Sequence, residues 1–200
     1  MQLVIESATS ACSAALLGPA DELVDERHEL VGRGHAERLM PMIAELLAGR
    51  RPDSILVDCG PGSFTGVRVG LAAAHGLAIG WGVKLNGYSS MTLLAAASGE
   101  AEVAVALEGG HGELFVQTYA DDPIAPVDML RSLSPEAAAE EITAELVIGS
   151  GSEALVAVRG NGRWANATLR AADARFLPVS ARTLPARPIY GRAPDAKPMA

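Results

Sequence analysis

The sequence predicts an α/β protein whose small side chains let sheets and helices pack closely. Of its 200 residues, 49% are apolar but only 4% are aromatic, and 21 are glycine. A composition so poor in large rings favours close-packed helix and sheet layers over a β-sandwich. The strongest local signal is the stretch of residues 55–80, in which a short apolar strand leads through a glycine turn into a long helix.

The elements of the first half follow from short apolar runs that are separated by turn residues. Five runs predict strands, at residues 3–5, 11–17, 22–30, 55–58 and 83–85. The first three form an antiparallel start, and the last two are parallel strands that flank a helix. Three helices are predicted. The first covers residues 35–48, the second begins at Ser63, and the third is capped by Ser89 or Ser90 and ends at residue 97.

The second half repeats this hairpin start by position rather than by sequence. We place a boundary that divides the chain into a first lobe of residues 1–98 and a second, reduced lobe of residues 99–200. Strands at residues 103–107 and 114–119 surround a glycine-rich turn. From Leu177 the density of proline predicts an extended tail that returns over the body.

The glycine turn that follows Asp58 lacks the chemistry of known phosphate loops. A P-loop needs lysine and then serine or threonine after its last glycine, whereas valine and arginine follow Gly66. A dinucleotide-binding turn needs an acidic residue about 20 positions further on, and none occurs between Asp58 and Glu100. Ser63 or Thr65 is therefore expected to cap the helix rather than to act as a nucleophile.

The helix after this turn carries small residues on two faces. The two stripes are Gly66, Gly70 and Ala74, and Ala72, Gly76 and Gly80. A glycine inside a helix costs about 1 kcal/mol relative to alanine, and close approach of another backbone is the usual compensation. Both stripes could pack against the protein's own sheet, but two stripes cannot easily face one surface. We therefore expect the second stripe to meet a partner.

The helix that begins at His35 is too apolar for a helix with one buried face. Its apolar residues are Leu39, Met40, Met42, Ile43, Leu46 and Leu47. They cover more than half of its circumference, so we expect part of this surface to be buried against something else.

At these two helices the chain resembles the bacterial TsaB family, also called YeaZ. The specific motifs are GPGSFTGVRVGLAAAHGLA and, upstream of it, HAERLMPMIAELL. The start LVIESATSACSAALL resembles the first hairpin of the family, and PIYGRAPDAKP resembles its tail. The resemblance spans the first half almost continuously and then thins to scattered pieces.

This resemblance implies an actin-like, Hsp70-like ATPase (RNase-H-like) fold of two lobes, each with a mixed sheet flanked by helices. It also implies a non-catalytic scaffold subunit of the tRNA modification complex that makes threonylcarbamoyladenosine. No cofactor of its own is expected, because ATP and metal belong to a TsaD-like transferase partner. A TsaE-like ATPase joins that complex, the chain forms a homodimer when alone, and tRNA is reached only through the complex.

In the family the two helices after the first hairpins form the partner contact. Here they correspond to the helices from His35 and from Ser63. The interface residues predicted on this basis are His35, Glu37, Arg38, Leu39, Met42, Ile43, Leu46, Phe64, Val67, Arg68 and Leu71. No catalytic residue and no metal ligand is predicted.

Two positions depart from the family. Glu6 stands where relatives usually carry aspartate, and a glycine-rich segment at Glu108, Gly109 and Gly110 replaces an Asp-Ala-Arg sequence. This segment is a candidate nucleotide-proximal turn, with a plain flexible turn as the alternative. The first hairpin turn has no glycine, so ATP hydrolysis by the chain alone is not expected.

Charge and residue usage exclude several functional classes. A net charge of −8 and a pI of about 5.0 argue against RNA binding by this chain alone. None of the four histidines stands in a His-x3-His pair, and Cys12 and Cys59 predict buried thiols rather than a disulfide. The start lacks the basic region of a signal peptide, so a cytoplasmic protein without membrane association is expected.

An enzyme of the same fold is the alternative function, as an ATPase or a glycoprotease-like peptidase. Its local support is the segment from Glu108 to Gly112 and the neighbouring Asp58 and Cys59. A small-molecule kinase of this fold is disfavoured by the missing glycine in the first turn.

Overall fold

Two mixed β-sheets form the framework of the chain in the computed structural model, which describes residues 1–120 and 123–191. The first half contains β1 (Gln2–Glu6), β2 (Ala11–Leu17), β3 (Leu23–Leu30), α1 (His35–Leu47), β4 (Ser54–Asp58), α2 (Phe64–Trp81), β5 (Lys84–Tyr88) and α3 (Ser90–Ser98). The second half contains β6 (Glu102–Gly110), β7 (Glu113–Ala120), β8 (Ala125–Pro126), β9 (Arg131–Leu133), α4 (Pro135–Glu141), β10 (Leu146–Ile148), α5 (Ser152–Arg159) and β11 (Arg163–Ala165). Short 3-10 helices follow at Ala171–Phe176 and Val179–Arg182.

The two sheets share one strand order. In the first sheet the order is β3-β2-β1-β4-β5, with β1 antiparallel to β2 and parallel to β4. In the second sheet the corresponding order is β8-β7-β6-β10-β11, with β6 antiparallel to β7 and parallel to β10. Strand β9 also pairs with β7. The hairpin β6–β7 therefore corresponds to the hairpin β1–β2, as the positional repeat in the sequence predicts.

Burial explains why these segments become central strands. Every residue of β2 is buried, and so are four of the five residues of β1 and of β4. A strand that is apolar on both faces needs cover on both faces, which the helices on either side provide. Glycine sets the end of α2, which stops at Gly82 with a left-handed φ of 65°.

The segment after residue 168 returns to the first sheet. The Ala171 amide donates to Ser13 Oγ at 3.0 Å, and Arg170 lies 2.5 Å from a carboxylate oxygen of Glu26 on β3. Further on, Leu184 and Gly87 exchange two backbone hydrogen bonds of 2.7 and 3.1 Å. The chain therefore returns to the first sheet earlier than the predicted start of the tail at Leu177. The division into lobes at residues 98 and 99 stays a prediction.

A helix that crosses a membrane must be long and apolar. Among residues 1–120 and 123–191, no helix has the length and apolar character needed to cross a bilayer.

Candidate functional site

The first turn, residues 7–10 between β1 and β2, is occupied by the protein's own chain. The Ala8 carbonyl accepts a hydrogen bond from the Ser63 amide at 2.6 Å, and the Ala8 amide donates to Glu6 Oε1 at 2.7 Å. Ser63 also caps α2, as predicted, because its Oγ accepts from the Gly66 amide at 3.2 Å. Internally bonded amides cannot cradle a phosphate, so this turn does not fit a nucleotide.

His35 is a structural residue of this turn rather than an exposed one. Its ring is buried, and Nε2 donates to the Thr9 carbonyl at 2.8 Å, with the Ala11 carbonyl at 3.1 Å. A buried donor satisfies carbonyl groups that would otherwise lose their hydrogen bonds to water. The side chain of His35 is therefore not exposed, because α1 packs it against the hairpin β1–β2. A role of His35 in a partner contact stays a prediction.

The apolar excess of α1 is covered by the chain itself. Most of these side chains lie in the shared core, because α1 packs on β2 and on α2. Their contact with a partner stays a prediction. The predicted interface residues that are buried in this way are Leu39, Met42, Ile43 and Leu46 on α1 and Val67 and Leu71 on α2. Among the large apolar side chains of α1, Met40 alone is exposed, at 44%.

The two small-residue stripes of α2 face different surroundings. A Cβ atom at Gly66 would overlap the Ser7 carbonyl oxygen, and one at Gly70 would overlap Ser7 Oγ. The first stripe therefore packs against the protein's own hairpin, as predicted. Gly76 and Gly80 on the second stripe are exposed, and a Cβ atom there would meet nothing within 4 Å. Contact of this stripe with a partner stays a prediction.

The exposed residues of α1 and α2 form what we call the outer helix surface. Its large apolar members are Met40, Phe64 (69% exposed) and Ile79 (82% exposed). Of the predicted interface residues, Glu37 and Phe64 are exposed there, while Arg38 and Arg68 are partly buried. These four remain candidates.

Both arginines of this surface are already engaged within the chain. Arg38 binds Glu29 through Nη2 at 2.5 Å and Glu45 through Nη1 at 2.8 Å, which lowers the pKa of both carboxyls. The guanidinium carbon of Arg68 lies 3.2 Å from the ring centroid of Phe64, and Nη2 donates to the Tyr190 hydroxyl at 2.8 Å. A contact of either arginine with a partner would have to compete with these internal contacts.

A buried pair of carboxyl groups lies at the carboxyl ends of β1 and β4. Asp58 accepts from the Gly60 amide at 2.6 Å and from Ser90 Oγ at 2.7 and 2.9 Å. Glu6 Oε2 is buried without a hydrogen-bond partner. Burial, and then the charge of Asp58, raises the pKa of Glu6 well above its usual value, and burial raises the pKa of Asp58 to about 7.

Sequence reasoning missed this pair, although a signal exists. Glu6 follows the predicted strand at residues 3–5, and Asp58 ends the one at residues 55–58. Neighbouring parallel strands bring their carboxyl ends to one edge of a sheet. Within the described part of the chain, no group of three or more His, Cys, Asp or Glu residues could hold a metal ion. Burial thus makes both carboxyl groups harder to ionise than exposed ones.

The second turn, residues 108–112, comprises the end of β6 and its connection to β7, and it is open to solvent, whereas the first turn is packed against the chain. Gly110, His111 and Gly112 have positive φ angles of 74°, 55° and 77°, and all three residues are exposed. The Glu108 amide donates to Ser150 Oγ at 3.1 Å, whereas a Cβ atom at Gly110 or Gly112 would meet nothing within 4 Å. A nucleotide contact at Glu108, Gly109 and Gly110 stays a prediction.

Comparisons with known proteins point to one family. The family model described as TsaD, tRNA N6-adenosine threonylcarbamoyltransferase, matches residues 28–125. The tRNA threonylcarbamoyladenosine biosynthesis protein TsaB of Escherichia coli K12 is 34% identical over 129 residues, which cover 60% of this chain and 55% of that protein. The chain thus spans about half the length of this relative. An uncharacterised protein of Mycobacterium tuberculosis H37Rv is 30% identical, covering 99% of this chain and 94% of that protein.

A solved structure agrees over almost the whole chain. YeaZ from Pseudomonas aeruginosa superimposes with a TM-score of 0.78 at 26% identity, covering 94% of this chain and 98% of that one. Together with the two mixed sheets flanked by helices, this match confirms the predicted actin-like, RNase-H-like ATPase fold. The chain belongs to the TsaB family, also called YeaZ.

Proposed function

We propose that this chain is a non-catalytic scaffold subunit in the synthesis of threonylcarbamoyladenosine on tRNA, and that its outer helix surface binds a TsaD-like transferase. The observation that carries this proposal is the exposed stripe of Ala72, Gly76 and Gly80 beside Ile79. Interior glycines cost about 1 kcal/mol each in a helix. Among residues 1–120 and 123–191, no atom lies within 4 Å of a Cβ placed at Gly76 or Gly80 to compensate for that cost. A partner helix in close contact would supply that compensation.

The chemistry of the surface supports a protein partner. Phe64 and Ile79 expose large apolar side chains on the same helix, and Arg68 stacks on Phe64. Aromatic and arginine side chains are enriched among residues that dominate binding energy in interfaces. The same surface would serve a homodimer when the TsaD-like partner is absent.

The interior supports a role without catalysis. The first turn is bonded internally, and the buried carboxyl groups of Glu6 and Asp58 have no open approach. ATP and metal are therefore assigned to the TsaD-like partner, which a TsaE-like ATPase joins. With a net charge of −8, the chain would reach tRNA only through that complex.

Substitution of Ile79 by arginine tests the assigned surface. Ile79→Arg places a charge among apolar partner atoms, and we expect the affinity for the TsaD-like subunit to fall about 100-fold or more, as for an interface hot spot. The affinity is measured by isothermal titration calorimetry, and transferase activity is measured with and without the variant. Circular dichroism should show an unchanged fold, because the position is exposed.

Val158→Arg is the matched control, since it makes the same kind of change at an exposed position of α5. It should bind normally. Normal binding by Ile79→Arg would show that the surface is wrongly assigned. Micromolar binding of ATP and magnesium by the isolated chain would instead favour the alternative, an enzyme of the same fold.

A further inference from the structure

Residues 184–191, which we call the strap, cross from one sheet to the other. The strap begins at the edge of the first sheet, where Leu184 exchanges backbone hydrogen bonds with Gly87 of β5. The Ile189 amide then donates to the Cys59 carbonyl at 2.7 Å, just beyond the end of β4. The strap ends with Gly191 packed against the ring of Phe115 on β7 of the second sheet.

This path covers the edge at which sheets of this kind bind ligands. In α/β proteins, ligands occupy the crevice outside the carboxyl ends of parallel strands. Here the carboxyl end of β4 leads into Cys59, whose side chain is fully buried and lies 3.7 Å from the Pro185 carbonyl oxygen. The strap thus occupies that crevice and shields the thiol.

The strap is only partly buried, although Ala186 and Ile189 pack against the core. None of its residues is buried, and Tyr190 is 59% exposed. Two side chains of α2 hold it: Arg68 Nη2 donates to the Tyr190 hydroxyl at 2.8 Å, and His75 Nε2 lies 3.0 Å from the Ala186 carbonyl oxygen. Segments with exposed hydrogen bonds and little buried apolar surface open locally, without unfolding of the whole domain.

We propose that the strap is a gate over the carboxyl end of β4, and that the contact between Arg68 and Tyr190 is its latch. In the closed state the crevice between the two sheets is filled by the chain's own backbone. Opening frees Cys59 and the Gly60 turn while the sheets stay folded. The gate does not depend on the proposed scaffold function, because it concerns the isolated chain.

The two free thiols provide the test. Cys59 lies under the strap, whereas Cys12 is buried within β2 and serves as an internal reference. We expect Tyr190→Phe, which removes the hydrogen bond to Arg68, to raise the labelling rate of Cys59 by a small thiol reagent about five- to tenfold at one fixed pH. The labelling rate of Cys12 should not change, as followed by peptide mass spectrometry.

Two further variants define the outcome. Gly191→Val presses a side chain against Phe115 at the other end of the strap and should also speed the labelling of Cys59. Arg175→Ala is the matched control, because it removes a comparable arginine stack on Phe176, 4.6 Å from the ring centroid, outside the strap. The proposal is overturned if Cys59 keeps its wild-type rate in both strap variants, or if Cys12 and Cys59 accelerate together.

Discussion

The first and second turns occupy equivalent places in the two sheets, yet their surroundings are opposite. The first turn is closed by the start of α2 on one side and by His35 of α1 on the other. The second turn has three successive residues in left-handed conformation and is open to solvent. The same strand order therefore does not produce the same surroundings for the turn. Helices α1 and α2 pack against the first turn, whereas the second turn is open to solvent.

The largest expected effect concerns the contact between α2 and the first turn. Gly66→Ala places a methyl group where the Ser7 carbonyl oxygen already lies, and the backbone on both sides must shift. We expect a loss of about 2–3 kcal/mol in the free energy of unfolding, because overpacking outweighs the gain in helix propensity. Urea denaturation measures it.

Gly76→Ala is the matched control in the same helix. A Cβ atom at this position meets open space, so the substitution should stabilise the isolated chain by up to about 1 kcal/mol. Equal effects of the two substitutions would contradict the distinction between an inner and an outer stripe.

The next effect concerns the side chain that holds the first turn. His35→Ala leaves the carbonyl groups of Thr9 and Ala11 without their buried donor, and we expect a loss of about 2 kcal/mol in unfolding free energy. Chemical denaturation at constant pH measures the change.

The corresponding residue of the second turn should behave differently. His111 is exposed with a φ of 55°, a conformation that glycine adopts without strain. His111→Gly is therefore expected to change stability by less than about 0.5 kcal/mol, as surface substitutions usually do. A large loss would show that the second turn is held as firmly as the first.

Local patterns predicted the elements of the fold well, for a physical reason. Apolar runs, the cap at Ser63 and the glycine after α2 act within a few residues, so the sequence itself contains the information. The same patterns could show that Leu39 and Ile43 are apolar, but not that β2 and α2 cover both of them. Whether such a side chain stays free for a partner depends on how distant elements pack, which a local pattern does not contain.

The candidate site shows the same limit more strongly. Glu6 and Asp58 meet only because β1 and β4 are neighbours in the sheet, although 51 other residues lie between them in the chain. Arg68 meets Tyr190 across an even longer separation. The family resemblance supplied the two helices of the proposed interface. The exposure of each side chain, and hence the choice of Ile79 for the test, required the packed structure.

The last expected effect concerns the carboxyl groups beneath the first turn, and it depends on pH. Burial raises the pKa of Asp58 from 3.8 to about 7, and that of Glu6 also rises. The folded chain then binds more protons than the unfolded chain between pH about 4 and 7. The free energy of unfolding therefore falls as the pH rises through that window. Glu6→Gln removes one titrating group and its repulsion of Asp58, and so should flatten this decline.

At pH 8 we expect Glu6→Gln to be more stable than the wild type by about 1 kcal/mol, because folding must keep a proton on Glu6 or bury its charge, and the amide requires neither. At pH 4.5 the two proteins should be nearly equal, since Glu6 is then protonated in the folded chain. Urea denaturation at several pH values measures both differences. The amide can still accept from the Ala8 amide, as Glu6 Oε1 does, so the first turn should stay closed. A variant that loses stability at pH 8 would mean that ionised Glu6 stabilises the turn, which would contradict the protonated pair inferred from its burial.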